Sequence, residues 1–401
     1  MLTKSYETRE KELIARYERL INLDNEIDPN WSHGIYKRYR NPVLTADHIP
    51  LNWRFDFDPE RNPYLLERLM VNSVFNSGAI LMGDKVCLVA RVEGADRKSF
   101  FAVAESTSGI DHFTFWDKPV VIPEVEDPDV NIYDMRLTRH EDGWIYGVFA
   151  SERKSPYSKP GVLYEPFATA AIARTKDLVH WERLPDIVTG SAQQRNVVLH
   201  PEFVNGRYGF YTRPQDGFMD AGTAPGIGWA TCEDITNPVL QDSAIIDRRA
   251  FNTIKSAKNG AGAPPIKTEI GWLHIAHAVR NTAAGLRYVL YVFVCDLDEP
   301  WRLIYQPGGY FMAPQNEERV GDVSNVLFTN GAVLKPDGTL LIYYASSDTR
   351  LHVASTDLDR ILDYAVNTPQ DSTRSAIAVQ QRLALIEKNE PRWRALQAKD
   401  G

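Results

Sequence analysis

The sequence is poor in cysteine, has no long apolar run and carries no excess of positive charge. Its three cysteines, Cys87, Cys232 and Cys295, are odd in number, far apart and each set inside an apolar stretch. That pattern excludes a disulfide framework and predicts buried free thiols in a reducing compartment. A run of about 18 apolar residues occurs nowhere, so no membrane-spanning helix is expected. The opening stretch MLTKSYETREKELIARYERL has charges every few residues where a secretory leader needs an apolar centre, and a cytoplasmic location follows as the expectation. With 45 Lys+Arg against 53 Asp+Glu, the net charge of −8 argues against a generic nucleic-acid binder. A local basic pocket remains compatible with it. The G-x-S-x-G nucleophile turn and the G-x-x-x-x-G-K-[ST] phosphate loop are also missing.

What is present is ordinary globular composition: 43% hydrophobic and 11% aromatic residues, with 25 Gly and 24 Pro. A length of 401 residues would by default suggest two or three domains, but the chain repeats itself. Five copies of an apolar strand, a tight Gly-containing turn and a second apolar strand start at Asn76, Asp134, His200, Pro264 and Asn330, roughly 58 to 66 residues apart. Such turns between alternating apolar runs are hairpin signals. A second element follows each: AESTSGIDHFTFW, ARTKDLVHWERL, ATCEDITNPVL, VCDLDEPWRLI and ASTDLDRILDY. Each reads as the outer hairpin of a four-stranded unit. The fold expected is all-β, a five-bladed β-propeller with N- and C-terminal α-helical extensions: residues 1–30, a catalytic propeller over 31–365, and 366–401. A pair of β-sandwiches is the alternative, but it would not need so regular a period.

Residues 5–22 carry Leu13, Ile14, Tyr17, Leu20 and Ile21 at helical spacing, and residues 373–388 carry Ile377, Leu383, Leu385 and Ile386, with Pro391 beyond. Because a propeller closes its own core, these faces pack either on the propeller wall or in a subunit interface.

The innermost strand of each blade lines a central funnel, so polar residues there are informative. Residues two apart share a strand face, which pairs Arg91 with Glu93, Asp134 with Arg136, and His200 with Glu202. Ion pairs between blades are the plain reading of these. Asp134 stands apart because it opens a strand, where its carboxylate can point into the funnel while Arg136 anchors the chain. The rival acids Glu126, Asp127 and Asp129 read as a solvated loop. Positive charge falls at corresponding positions: Arg195, Arg213, Lys258 and His277. Lys258 opens KNGAGAPP, where small residues permit close backbone approach and the cation can hold an anion. His274 and His277 point to opposite strand faces and cannot chelate together, so no metal site is expected.

In the order FNSGAI, RVEG, YDMRLT, HPE, RPQ, KNGAGAPPIKTEIGWLHIAHAV and YYASSDT, the chain resembles glycoside hydrolase family 130 over about residues 30–360. That family contains inverting β-mannoside phosphorylases on five-bladed propellers and some β-1,2-mannoside hydrolases. Many members read Glu-Asp-Pro-Arg where this chain has Tyr-Asp-Met-Arg at 133–136, which with the long terminal helices resembles the branch acting on β-1,4-mannosyl-glucose. The Glu-Asp-Pro at 126–128 lacks a following Arg.

The resemblance implies that Asp134 is the general acid, its proton passing through the mannose 3-hydroxyl to the glycosidic oxygen. Arg213 and Lys258 would bind phosphate, with His277 and Arg195 as further contacts, and Asn76, Arg91 and Asp348 would hold the mannose. Tyr133, Tyr211 and Trp272 could supply an apolar platform for the sugar ring, although each alone reads first as a core residue. Inverting hydrolysis needs a second carboxylate to activate water. Phosphorolysis needs cations around an anionic nucleophile instead. One acid with several Arg, Lys and His residues therefore suits phosphate attack better than water attack, and the resemblance implies the reaction: mannosyl-glucose plus phosphate giving α-mannose 1-phosphate plus glucose, with phosphate as co-substrate and no cofactor. A β-1,4-mannooligosaccharide phosphorylase, a β-mannoside hydrolase and a non-catalytic glycan-binding propeller are the alternatives. Nucleic acid and membrane are not expected partners; a homo-oligomer formed through the terminal helices is.

Overall fold

The computed structural model describes residues 5–31, 33–154, 166–218 and 221–398. Its strands form five antiparallel sheets. Blade 1 comprises Val71–Met82, Lys85–Gly94, Ser99–Ser106 and Thr114–Phe115, and blade 2 comprises Asn131–Arg139, Ile145–Lys154, Pro166–Thr175 and Trp181–Arg183. Blade 3 runs through Val198–Val204, Arg207–Thr212, Gly226–Cys232 and Gln241–Arg248. In blade 4 the inner strand is split into Lys258–Ala261 and Ile266–Thr268, both paired with Gly271–Thr282, followed by Gly285–Cys295 and Leu303–Tyr305. Blade 5 comprises Leu327–Leu334, Thr339–Ser346 and Arg350–Asp357 with Lys37–Arg38. Consecutive blades touch, and blade 5 touches blade 1, so the ring closes. The anticipated turns form: Asn205-Gly206, with φ of 54° and 75°, supplies the two left-handed residues of a tight hairpin.

The apolar alternation fills five separate cores, one between each pair of neighbouring blades. Leu341, Tyr343 and Val353 of blade 5 meet Leu88, Ala90 and Ala102 of blade 1, for example, and Tyr146, Val148 and Ile172 of blade 2 meet Leu199 and Phe210 of blade 3. The three thiols are buried in these cores and unpaired, and burial pushes Cys87 and Cys232 up to about 11.

Two expectations are corrected at the last blade. The segment ASTDLDRILDY is not an outer hairpin: after the strand Arg350–Asp357 the chain turns into the helix Leu358–Asn367. Its apolar residues Leu358, Ile361, Leu362 and Ala365 recur at helical rather than alternating spacing and pack on the core between blades 4 and 5. The missing fourth strand comes from the other end of the chain, where Lys37 and Arg38 pair with Ser355 and Ala354. Buried Arg38 fastens this closure by donating to Glu318, to the Ala313 carbonyl (2.8 Å) and to the Tyr344 hydroxyl (3.3 Å).

The two terminal helices differ. Tyr6–Ile21, capped by the Ser5 hydroxyl, leans on the segment that leads into blade 1, where Tyr6 donates to the Phe57 carbonyl and Arg9 to that of Pro63. Ser375–Gln397 is longer than the 373–388 expected, since it continues through Pro391, and it buries none of its residues. A proline forfeits its own N–H, which an exposed helix held by its other hydrogen bonds can tolerate. Among the described residues no helix is long and apolar enough to cross a membrane.

Candidate active site

A cavity of about 970 Å³ opens at one end of the ring axis, lined from all five blades. Asp134, Asn76, Arg91, Asp348, Arg213, Lys258 and Arg195 all line it, whereas His277 does not.

The acid side is built on interrupted strands. In blade 1 the pairing slips between Phe75 and Gly78, and in blade 2 between Tyr133 and Arg136, so each inner strand carries a bulge at the cavity. The residues raised by these bulges, Asn76 and Asp134, have φ of 44° and 61°. Asn and Asp tolerate that left-handed conformation better than other non-glycine residues. Around Asp134 the conformation is over-determined, because its carbonyl accepts from Arg136 (3.0 Å) and Asn330 (3.1 Å) while Oδ1 accepts from Asn76 (2.9 Å) and Arg91 (3.2 Å). Arg91 lies between the Phe75 and Tyr133 rings, with its guanidinium 4.4 and 4.8 Å from their centroids, and also donates to Glu93 at 2.7 Å. Asp348 sits in the Ser347–Thr349 turn of blade 5 with φ of 50°. Burial and then Asp134 push it up to about 7, against the pull of Arg91.

Arg136 lies behind the lining. Fully buried, it spans the axis from Asp134 to the Gly262 carbonyl (3.0 Å) and Asn196 Oδ1 (2.6 Å), and burial lowers it to about 10. Here the two-residue spacing misleads: Arg136 binds the backbone of Asp134, not its carboxylate. His200 and Glu202 do not pair either, since the register slips between Leu199 and Phe203. His200 turns inward to the Tyr211 hydroxyl (3.0 Å), and Glu202 meets Lys267 on the surface (2.7 Å).

The cationic side comprises Arg213, Lys258 and Arg195. Buried Arg213 donates to Gln215 (2.6 Å), and its Nη1 stands 3.1 Å from His277 Nε2. Burial, then Arg213 and two further cations, hold His277 well below the usual imidazole range, so the neutral ring accepts from Arg213. His277 is thus a layer behind the cavity, in contact with Arg213 rather than on the lining where a direct contact was expected. Arg195 lies over the Phe218 ring at 4.2 Å, and Lys258 Nζ is 5.6 Å from the Tyr288 centroid. The small residues after Lys258 do allow close approach, but of protein: a Cβ on Gly260 would lie 2.6 Å from the His277 ring, and one on Gly262 2.4 Å from the Ile275 carbonyl.

Of the three aromatics considered as platforms Tyr133 reaches the cavity, while Tyr211 and Trp272 are core residues between blades 3 and 4, the plainer reading of each. Tyr288, Phe328 and Phe218 line it instead, with Glu152, Asp96, Lys98 and Asp322 among the polar residues not singled out from sequence. Asp127 is solvated, as expected, while Asp129 pairs with Arg153 at 2.8 Å. Asp24, Asp111 and His112 bring ligand-type atoms within 4.8 Å of one another, but none of them lines the cavity.

A five-bladed ring whose axial cavity sets acids against cations matches what comparison with known proteins finds. The sequence signature of glycoside hydrolase family 130, described as β-1,4-mannooligosaccharide phosphorylase, matches residues 46–367, and the chain belongs to that family. It is 57% identical over 377 residues to a 4-O-β-D-mannosyl-D-glucose phosphorylase of Bacteroides fragilis, covering 94% of this chain and 96% of the relative. A β-1,4-mannooligosaccharide phosphorylase of Ruminococcus albus is 28% identical over 80% of this chain and 92% of its own length. The fold is shared with a solved β-1,2-mannobiose phosphorylase from Listeria innocua, with a TM-score of 0.64 at 22% identity over 82% of this chain and 98% of that one.

Proposed function

We propose that this protein catalyses the reversible, inverting phosphorolysis of 4-O-β-D-mannosyl-D-glucose to α-D-mannose 1-phosphate and D-glucose. The observation that carries this reading is the division of one cavity into an acid side, Asp134 with Asn76 and Arg91, and a cationic side, Arg213, Lys258 and Arg195. The 57% identical relative supplies the substrate. Asn76, Arg91 and Asp348 hold the mannosyl ring. Asp134 protonates the departing glucose oxygen through the mannose 3-hydroxyl, while phosphate held by the cations attacks the anomeric carbon from the opposite face. A nucleophile that arrives already anionic needs no general base, and the chemistry calls for no cofactor beyond phosphate.

The test is incubation with mannosyl-glucose and with mannobiose, each with and without phosphate, followed by chromatography for mannose 1-phosphate. Phosphate-dependent formation from mannosyl-glucose is expected; free mannose released at equal rates in both buffers would overturn the phosphorylase reading in favour of hydrolysis. Faster turnover of mannobiose would favour the mannooligosaccharide phosphorylase that the family description names. Asp134→Asn is expected to lose about 10²- to 10⁴-fold in kcat with the fold intact; near wild-type activity would move the acid elsewhere.

The same reading places the enzyme in the cytoplasm, in keeping with its buried free thiols. It also assembles the protein into a homo-oligomer through the helix Ser375–Gln397, on which Leu383, Ile386 and Trp393 are each 58% exposed.

A further inference from the structure

Three carboxyls crowd one guanidinium at the acid side of the cavity. Arg91 is bound to Glu93 and to Asp134, and Asp348 faces the same group from blade 5. Further charges on Asp348 come from Asp322, on the loop before blade 5, while Tyr288 of blade 4 stands close enough for Asp348 to help hold its phenol proton. Asp348 differs from its neighbours in one respect: among the described residues no hydrogen-bond donor or ion-pair partner reaches its carboxyl. Its turn is pinned by Ser347 N–H to the Val326 carbonyl (2.8 Å), Ser347 Oγ to the Glu318 carbonyl (2.7 Å) and Val323 N–H to the Ser347 carbonyl (3.2 Å). One cation against three carboxyls, in a partly closed cavity, leaves the carboxyl without a donor as the one that keeps its proton.

We propose that Asp348 stores the catalytic proton, resting as the neutral acid beside the two carboxyls that Arg91 holds and passing its proton to Asp134 for delivery to the departing sugar oxygen. This rests on the phosphorolysis reading. The O–H bond of Asp348 breaks and an O–H bond forms on the released glucose. As an oxygen of hydrogenphosphate bonds to the anomeric carbon on the opposite face, the hydroxyl proton of that phosphate leaves to solvent, and the carboxyl pair recovers one proton from solvent. Atoms and charge balance over one turnover, with no net proton uptake.

Infrared spectroscopy of the substrate-free enzyme tests it. The difference between wild type and Asp348→Asn should show, at pH 6, the carbonyl stretch of a protonated carboxyl, where an ordinary aspartate at about 3.9 is ionised. That band should titrate away near pH 7. Asparagine tolerates the left-handed backbone, so this variant keeps the turn. Asp322→Asn removes a negative neighbour and should move the band's midpoint, and the alkaline limb of kcat/KM, to lower pH. Phosphate titrates identically in both enzymes, so any difference between them belongs to the protein. In turnover, Asp348→Asn should lose more than about 10²-fold in kcat, because an amide has no transferable proton; a loss below about tenfold would make Asp348 a sugar ligand only and overturn the proposal. So would the absence of the band at pH 6 in an enzyme that still forms mannose 1-phosphate. Phosphate-independent release of mannose would instead overturn the phosphorylase reading while leaving the infrared result standing.

Discussion

Asn76, Asp134 and Asp348 all hold left-handed backbone at the cavity edge, and each is a residue type that adopts it at modest cost. For Asp348 the environment carries a stability consequence. With its proton held up to about 7 in the folded chain, against about 3.9 when unfolded, the native state binds this proton more tightly between those values. Stability therefore falls as pH rises through that window, and the deficit is complete above about pH 7. Asp348→Asn should raise the melting temperature above that of wild type at pH 8, with the gap closing toward pH 4. A gap independent of pH would contradict this. At this scale the sequence was a good guide to residue type and a poor one to depth. Asp134, Asn76, Arg91, Arg213, Lys258 and Arg195 reach the cavity, but His277 lies behind it. The two-residue spacing rule assumes a regular strand. The bulges that create the site break that rule at Asp134 and near His200, and no local composition announces them.

Among elements, the recurring hairpin was legible because a tight turn between alternating apolar runs has few other solutions. The connection between the second and third strands of each blade was less so, yet it supplies much of the cavity rim: Asp96 to Lys98 in blade 1, Phe218 in blade 3, Ala284 and Gly285 in blade 4, Asp348 in blade 5. The corresponding stretch of blade 2, residues 155–165, lies outside the described residues. Once a four-strand repeat is accepted, these turns must open on the same side as the start of the inner strand, a signal that repeat arithmetic holds but single motifs do not. The closing strand was missed for a different reason: two residues, Lys37 and Arg38, give no periodicity to read. Its attachment is concentrated in one side chain. Arg38→Ala should destabilise the protein by about 3–5 kcal/mol, as expected when one partner of a buried ion pair is removed, measured by urea unfolding. Replacing Arg38 and Glu318 together by apolar residues should cost less than Arg38→Ala alone; equal or greater loss would show that the pair does not fasten the strand.

For the whole molecule, five interblade cores explain how 401 residues make one closed body rather than two or three domains. The helix Ser375–Gln397 adds nothing to those cores. Truncation after residue 374 should therefore leave the thermal midpoint of the isolated propeller in place and lower the mass seen by light scattering; an unchanged mass would remove that helix from any subunit interface. The net charge of −8 belongs to the chain as a whole, while the cavity gathers Arg195, Arg213 and Lys258 opposite its acids.

Ring closure also dictates an order of manufacture. Lys37 and Arg38 leave the ribosome before blades 1 to 4, whereas Arg350–Asp357, the strand they pair with, follows all four. A nascent chain can complete blades 1 to 4 in sequence. Throughout that time it must keep its first strand unpaired and the blade 1 face of the final core uncovered. Nothing that stops short of Arg350–Asp357 can seal that face, so a translational pause before residue 350 holds the chain with that apolar surface open.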